Sequence, residues 1–181
     1  MKDRFGRDIG YLRISVTDRC NLRCRYCVGP EGVKLLPRDR ILSFEEIVEV
    51  VEQAVRLGVR KVRLRGGEPL VRRDISGLVA AISRIDGIED LAMSTNAVLL
   101  ETHARELARV GLHRVNVSLD TTDPERYRHL TRGGEVSRVL AGIVGARAAG
   151  LEPVKLNCVT GGPCADADRL SVQRYAREQG L

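Results

Sequence analysis

Three cysteines stand close together near the N-terminus, in the segment Cys20-Asn21-Leu22-Arg23-Cys24-Arg25-Tyr26-Cys27. Three thiolates in one short loop can hold three corners of an iron–sulfur cube. The fourth iron then has no protein ligand within the motif. An open iron can bind and activate a small molecule, so such a cluster is a reaction centre rather than a wire. A three-cysteine zinc site is the competing chemistry. Sequence-close cysteines in a chain without secretory features favour metal over disulfide, and the cluster is the preferred reading. Cys158 and Cys164 lie outside the triplet, and their spacing matches no cluster pattern. They read as a buried thiol and a loop thiol.

The rest of the composition narrows the setting. A chain of 181 residues, 43% hydrophobic and 30% charged, reads as one soluble domain with room for a real core. No apolar run approaches a membrane span, and the first ten residues do not resemble a signal peptide. The expected location is therefore the cytoplasm, where all five cysteines stay reduced. A net charge of +6 favours an anionic ligand. Aromatics are only 3% and Trp is absent, which leaves few stacking platforms and disfavours nucleic acid as a partner.

Strands and helices alternate along the chain. Strands are expected at 11–16, 61–64, 90–93, 114–117 and 153–159, from their apolar–polar alternation. Helices are expected from about residue 44 to Gly58, then at 75–85, 101–110, 136–149 and 167–179. Ser43-Phe44-Glu45-Glu46 is a capping box, and Gly58, Gly111 and Gly150 suit helix C-termini. Asp123-Pro124 reads as a turn. This alternation predicts an α/β fold: a partial, open TIM-like (β/α) barrel of about five units with parallel strands. The domain is expected to fill residues 1–181, and a sixth strand would be due where the last helix ends.

Successive strand side chains point to opposite faces. One face gathers Arg13 and Ser15, then Lys61, Arg63 and Arg65, then Ser94 and Asn96, then Asn116, Ser118 and Asp120, then Lys155 and Asn157. The apolar faces must take the helices, so the polar faces point into the barrel. A charged interior is costly unless wet or occupied, so a lined cavity is expected. The strand carboxyl ends carry the cysteine loop, Gly66-Gly67-Glu68-Pro69, Ser94-Thr95-Asn96 and Ser118-Leu119-Asp120. Active sites of parallel α/β folds lie on that rim.

The Cys-x3-Cys-x2-Cys spacing with the glycine pair resembles the radical S-adenosylmethionine superfamily. The stretches 12–20, 63–70 and 115–120 resemble, within it, the GTP 3′,8-cyclases of molybdenum cofactor biosynthesis. The resemblance implies that Cys20, Cys24 and Cys27 ligate a 4Fe–4S cluster. It implies that Tyr26, Gly67 and Ser118 contact S-adenosylmethionine, and that Arg13, Arg63, Ser94 and Lys155 bind GTP or another anionic small molecule. The implied reaction abstracts hydrogen from C3′ of the GTP ribose, after which the sugar closes on guanine C8. It also implies an electron donor such as flavodoxin or ferredoxin, and leaves a homodimer open. Arg65 and Ser94 stand where that family usually has threonines, and Ala97 where it usually has glycine. The loop at 160–166 also departs from its pattern. The family's C-terminal region, with a second cluster and further arginines, has no counterpart here. Three readings follow: the cyclase or its N-terminal part, a short radical enzyme on another substrate such as a peptide, or a non-catalytic cluster module.

Overall fold

The computed structural model describes residues 2–29, 31–161 and 165–181. The thiol expected at Cys164 lies outside the described residues. Five parallel strands form one sheet in the order β1 (Tyr11–Ser15), β2 (Lys61–Arg65), β3 (Asp90–Thr95), β4 (Arg114–Ser118) and β5 (Lys155–Asn157). Helices α1 (Phe44–Arg56), α2 (Ile75–Ser83) and α3 (Leu100–Arg109) connect the first four strands in turn. Helices α4 (Pro124–Thr131) and α5 (Val136–Ala148) lie between β4 and β5, and α6 (Ala165–Gln179) follows β5. Each strand pairs with its sequence neighbour and the order never reverses. That is an arc of a (β/α) barrel, as expected, and not a doubly wound sheet.

The two faces of the sheet divide as the alternation demands. Val62, Leu64, Leu91, Met93, Val115 and Val117 are fully buried under the helices. On the other face the parallel register aligns Arg13 with Arg63, and Arg63 with Ala92. Ser94 pairs with Asn116, and Asn116 with Lys155. The Ser43 capping box forms with both bonds in place, the Ser43 hydroxyl accepting from the Glu46 amide and the Glu46 carboxylate from the Ser43 amide.

Three expectations need correction. Asp123-Pro124 starts a helix rather than making a turn: the Asp123 carboxylate accepts the Arg126 amide at 2.7 Å, and Pro124 occupies the first turn, where its missing N–H costs nothing. The fifth strand is only Lys155–Asn157, because the Val159 amide leaves the ladder to donate to the Asp120 carboxylate at 2.9 Å. Helix α2 stops at Ser83, whose hydroxyl turns to the carbonyls of Ala80 and Val110.

Ala97 sits between β3 and α3 with φ 60°, in the left-handed region, and is fully buried. There α5 comes so close that a Cβ at Gly142 would strike the Ala97 carbonyl oxygen. Left-handed backbone costs a non-glycine residue roughly 1–2 kcal/mol, partly offset by its stiffer unfolded chain. Ala97→Gly is therefore expected to stabilise the fold by about 0.5–1 kcal/mol, and Gly142→Ala to destabilise it by about 1–3 kcal/mol. Urea denaturation of both variants checks this; the reverse order of stabilities would refute the packing assignment.

Helix α6 is tied to α4 by an ion pair, Arg126 to Asp168 at 2.8 Å. The Arg126 guanidinium holds the Asp168 carboxyl below the usual carboxylate range. A depressed carboxylate stabilises above its unfolded pKa of about 3.9 and loses that contribution as pH falls through the folded value. Amide exchange in α6 should therefore rise below about pH 4, and Asp168→Asn should show the raised exchange already at pH 7.

Candidate functional site

The chain leaving β1 does not separate from β2. The Val16 amide bonds the Arg65 carbonyl at 2.7 Å, the Gly67 amide bonds the Thr17 carbonyl at 2.7 Å, and the Glu68 amide bonds the Arg19 carbonyl at 2.8 Å. This close run requires the glycine pair. Gly66 has φ 152°, and a Cβ on it would strike the Thr17 carbonyl oxygen. A Cβ on Gly67 would strike the carbonyl oxygen of Arg19. The missing side chain of Gly67 thus answers first to the cysteine loop's own backbone.

Glu68 follows, 1% exposed. Its carboxylate accepts the Leu70 amide at 3.1 Å, the Thr95 hydroxyl at 2.7 Å and the Asn96 amide at 2.6 Å. Burial pushes its pKa up, opposed by those donors. The Asn96 side chain in turn donates to the Asn21 side-chain oxygen at 2.7 Å and lies 3.7 Å from the Cys20 sulfur. A chain of polar contacts therefore runs from β2 through β3 to the first cysteine.

The second and third cysteines are set by a turn and by α4. The amides of Cys27 and Val28 both bond the Cys24 carbonyl, at 3.0 and 2.9 Å. The amides of Arg23 and Arg25 bond the carbonyls of Thr131 and Leu130, and the Arg25 side chain bonds that of His129. The orphan carbonyls at the C-terminus of α4 thus hold the loop. Tyr26 is half-exposed; its hydroxyl donates to Asp120 at 2.6 Å, the carboxylate that also receives the Val159 amide. Burial pushes the Cys24 thiol up to about 11, helped by the Asp120 carboxylate and the other two cysteines. Burial also raises Cys20, against the Leu22 amide that bonds it. Such thiols ionise when a bound cation takes up their charge.

Cys20, Cys24 and Cys27 line one cavity of about 460 Å³. Among the described residues, no group of three or more His, Cys, Asp or Glu converges on a single metal ion. Three cysteine sulfurs on one cavity are the donor set that a 4Fe–4S cluster takes up.

The same cavity is lined by Arg13, Arg63, Ser94, Tyr26, Gly67 and Ser118. Lys155 is not part of its lining; it is exposed on the short edge strand β5, beside Asn116. Arg65, Glu68, Asn96 and Asn157 line the cavity although they were not chosen from the sequence. Arg65, Asn96 and Asn157 share the polar face, which was their signal. Arg13 and Arg63 both lie over the Tyr11 ring, at 5.1 and 5.4 Å. Neither makes an ion pair among the described residues, whereas Arg114 on the same face is taken by Asp90. Burial lowers the pKa of Arg63, the Tyr11 oxygen opposes that, and the Arg114 and Arg13 cations add to it. Two guanidinium groups that face a cavity and make no ion pair suit an anion.

Comparisons with known proteins show the family of the chain. The radical SAM superfamily pattern matches residues 14–174. A GTP 3′,8-cyclase of Thermodesulfovibrio yellowstonii is 52% identical over 160 residues, 88% of this chain and 50% of that protein. One from Pelotomaculum thermopropionicum is 54% identical over 159 residues, 88% of this chain and 49% of that one. The chain thus spans about half the length of the curated relatives it matches. Among solved structures, Streptococcus suis SuiB bound to S-adenosylmethionine superposes with TM-score 0.72 at 20% identity, over 95% of this chain and 39% of that one. The hydrogenase maturase HydG superposes with TM-score 0.76 at 18% identity, over 93% of this chain and 39% of that one. These last two show a shared fold.

Glu68 gives the site a direct test. Glu68→Gln would set an amide NH2 against one of the three donors that the carboxylate now satisfies. A loss of about 1–3 kcal/mol is expected, read by urea denaturation. An unchanged midpoint would remove Glu68 from the scaffold.

Proposed function

The chain belongs to the radical SAM superfamily, and on that premise we propose that it carries the catalytic domain of a GTP 3′,8-cyclase. The observation that carries the proposal is one cavity lined by three cysteines and by two arginines without carboxylate partners. Soft donors for a metal cluster and hard cations for an oxyanion meet in one space.

The superfamily's cofactors are a 4Fe–4S cluster and S-adenosylmethionine. Together, when bound, they supply abstraction of a hydrogen atom from an unactivated C–H bond. The chain's residues bind and orient. In this reading Cys20, Cys24 and Cys27 hold the cluster. Tyr26 sets its ring against the adenine, its hydroxyl fixed by Asp120. The backbone at Gly67 and the Ser118 hydroxyl meet the remainder of S-adenosylmethionine. Arg13 and Arg63 grip the triphosphate of GTP as planar forks, both seated over the Tyr11 ring. Ser94 hydrogen-bonds the nucleoside, and Lys155 adds a point charge from outside the cavity lining. Ribose C3′ is thereby held toward the cysteine rim, and guanine C8 within reach of it. The electron comes from an external donor such as flavodoxin or ferredoxin. No described helix is long and apolar enough to cross a membrane; the cytoplasm and a homodimer belong to the same proposal.

Reconstitution with iron and sulfide without oxygen, then dithionite and S-adenosylmethionine, should give 5′-deoxyadenosine whose yield rises with GTP. Arg13→Ala and Arg63→Ala should each weaken GTP binding roughly 10–100-fold, since charge-assisted hydrogen bonds contribute about 1.5–3 kcal/mol. Calorimetry under the same conditions reads the affinity. Cleavage indifferent to GTP would point to another substrate, and a cluster unresponsive to S-adenosylmethionine to a non-catalytic module; either outcome defeats the proposal.

A further inference from the structure

We propose that Asn96 is a positioning residue for Cys20, aiming an amide proton at its sulfur so that a cluster held there is reduced more easily. The inference rests on Cys20, Cys24 and Cys27 being cluster ligands, as proposed above.

The orientation of the Asn96 amide is fixed by its neighbours. The Asn96 side-chain oxygen accepts the backbone N–H of Val98 at 3.0 Å, a donor that cannot be anything else. The side-chain nitrogen must then be the atom facing the cysteine loop. That NH2 has two protons. One goes to the Asn21 oxygen at 2.7 Å, and the other faces the Cys20 sulfur at 3.7 Å. The backbone of Asn96 is pinned as well, its N–H held at 2.6 Å by the buried Glu68 carboxylate. A side chain with both ends and its backbone committed has little freedom to turn away.

Cys20 is the cysteine where such a donor matters. It is half-buried, whereas Cys27 is exposed and open to water. Its sulfur already accepts the Leu22 amide at 3.4 Å. As a thiol it also reaches toward the Asn21 oxygen at 3.9 Å. As a metal-bound thiolate it has no proton to give and can only accept. The Leu22 and Asn96 N–H groups then both point at the same sulfur.

Reduction adds one electron and one negative charge, makes and breaks no bond, and places part of the new charge on the ligating sulfurs. An N–H aimed at one of them favours the reduced state, and it does so more strongly away from water. Glu68 and Thr95 act one step further out, by holding the Asn96 backbone in place.

The test is a redox titration of the reconstituted chain, with dithionite and mediators as the electron source and the electron-spin signal as readout. Asn96→Ala should lower the reduced-to-oxidised ratio at a fixed potential about tenfold, a midpoint shift of about 59 mV to lower potential for one electron. Asn96→Asp keeps an acceptor for the Val98 N–H and the shape of the side chain, but sets a negative charge against Cys20. Its midpoint should fall further than that of Asn96→Ala, which a purely structural role would not produce. If Asn96→Ala fails to assemble a cluster, the fall in Asn96→Asp decides. Midpoints equal to the unsubstituted chain in both variants overturn the inference while leaving the cluster reading intact. An unsubstituted chain that takes up no iron–sulfur cluster overturns both.

Discussion

The site depends on one close approach of backbone to backbone. Beyond the end of β1 the chain stays hydrogen-bonded to the Gly66-Gly67-Glu68 segment, and only residues without a Cβ allow that distance. The cysteine loop therefore starts from a fixed point and a fixed direction instead of leaving the barrel as a free loop. A second anchor comes from α4, whose last carbonyls take the loop's amides around Arg23 and Arg25. A loop tied at its root to β2 and at its middle to α4 can bring three thiolates to one cavity without help from regular structure. Preorganisation of this kind lowers the entropy lost when a cluster binds.

The same approach couples the loop to the rest of the rim. Glu68 comes directly after the glycine pair, and its burial is tolerable only because three donors converge on it. Two of those donors belong to Thr95 and Asn96 at the end of β3. The third strand is thus locked to the second through a carboxylate, and Asn96 is locked to the first cysteine. Across the rim, Asp120 does the matching work at the end of β4, joining Tyr26 of the loop to Val159 beyond β5. Two carboxylates, each taking donors from other elements, tie the rim together at the ends of β2 and β4.

Much of this was legible from the sequence, for a physical reason. Strand alternation has a period of two, so the polar face could be read before any register was known; Arg13, Arg63, Ser94 and Ser118 do line one cavity. Lys155 shares that face but not the cavity, because parity fixes the face of a residue and not the depth of a short edge strand. Helix α4 was missed because Asp-Pro starts turns and helices alike, and only the following residues decide. That error hid the support of the cysteine loop. The close approach of the Arg19 backbone to Gly67 joins two segments far apart in sequence, so no local pattern reveals it. The bonds from Glu68 to Thr95 and Asn96 join residues far apart in sequence, and no local pattern announces them.

Charge is divided across the cavity, and the division constrains what can bind. The carboxylates of Glu68 and Asp120 and the three cysteines belong to the rim or the loop above it. Arg13 and Arg63 are paired in register one strand repeat below the end of β1, and both are seated on Tyr11 at the start of that strand. Arg65, at the end of β2, lines the same cavity nearer the rim, so an anionic group meets one cation where it enters and two more where it ends. Its charged end is drawn inward, and its neutral part is left beside the cysteines. A small anion such as phosphate would gain from the arginines alone and touch nothing at the rim. A ligand with a charged end and an uncharged body would span both zones, and the nucleoside triphosphate proposed above has that division.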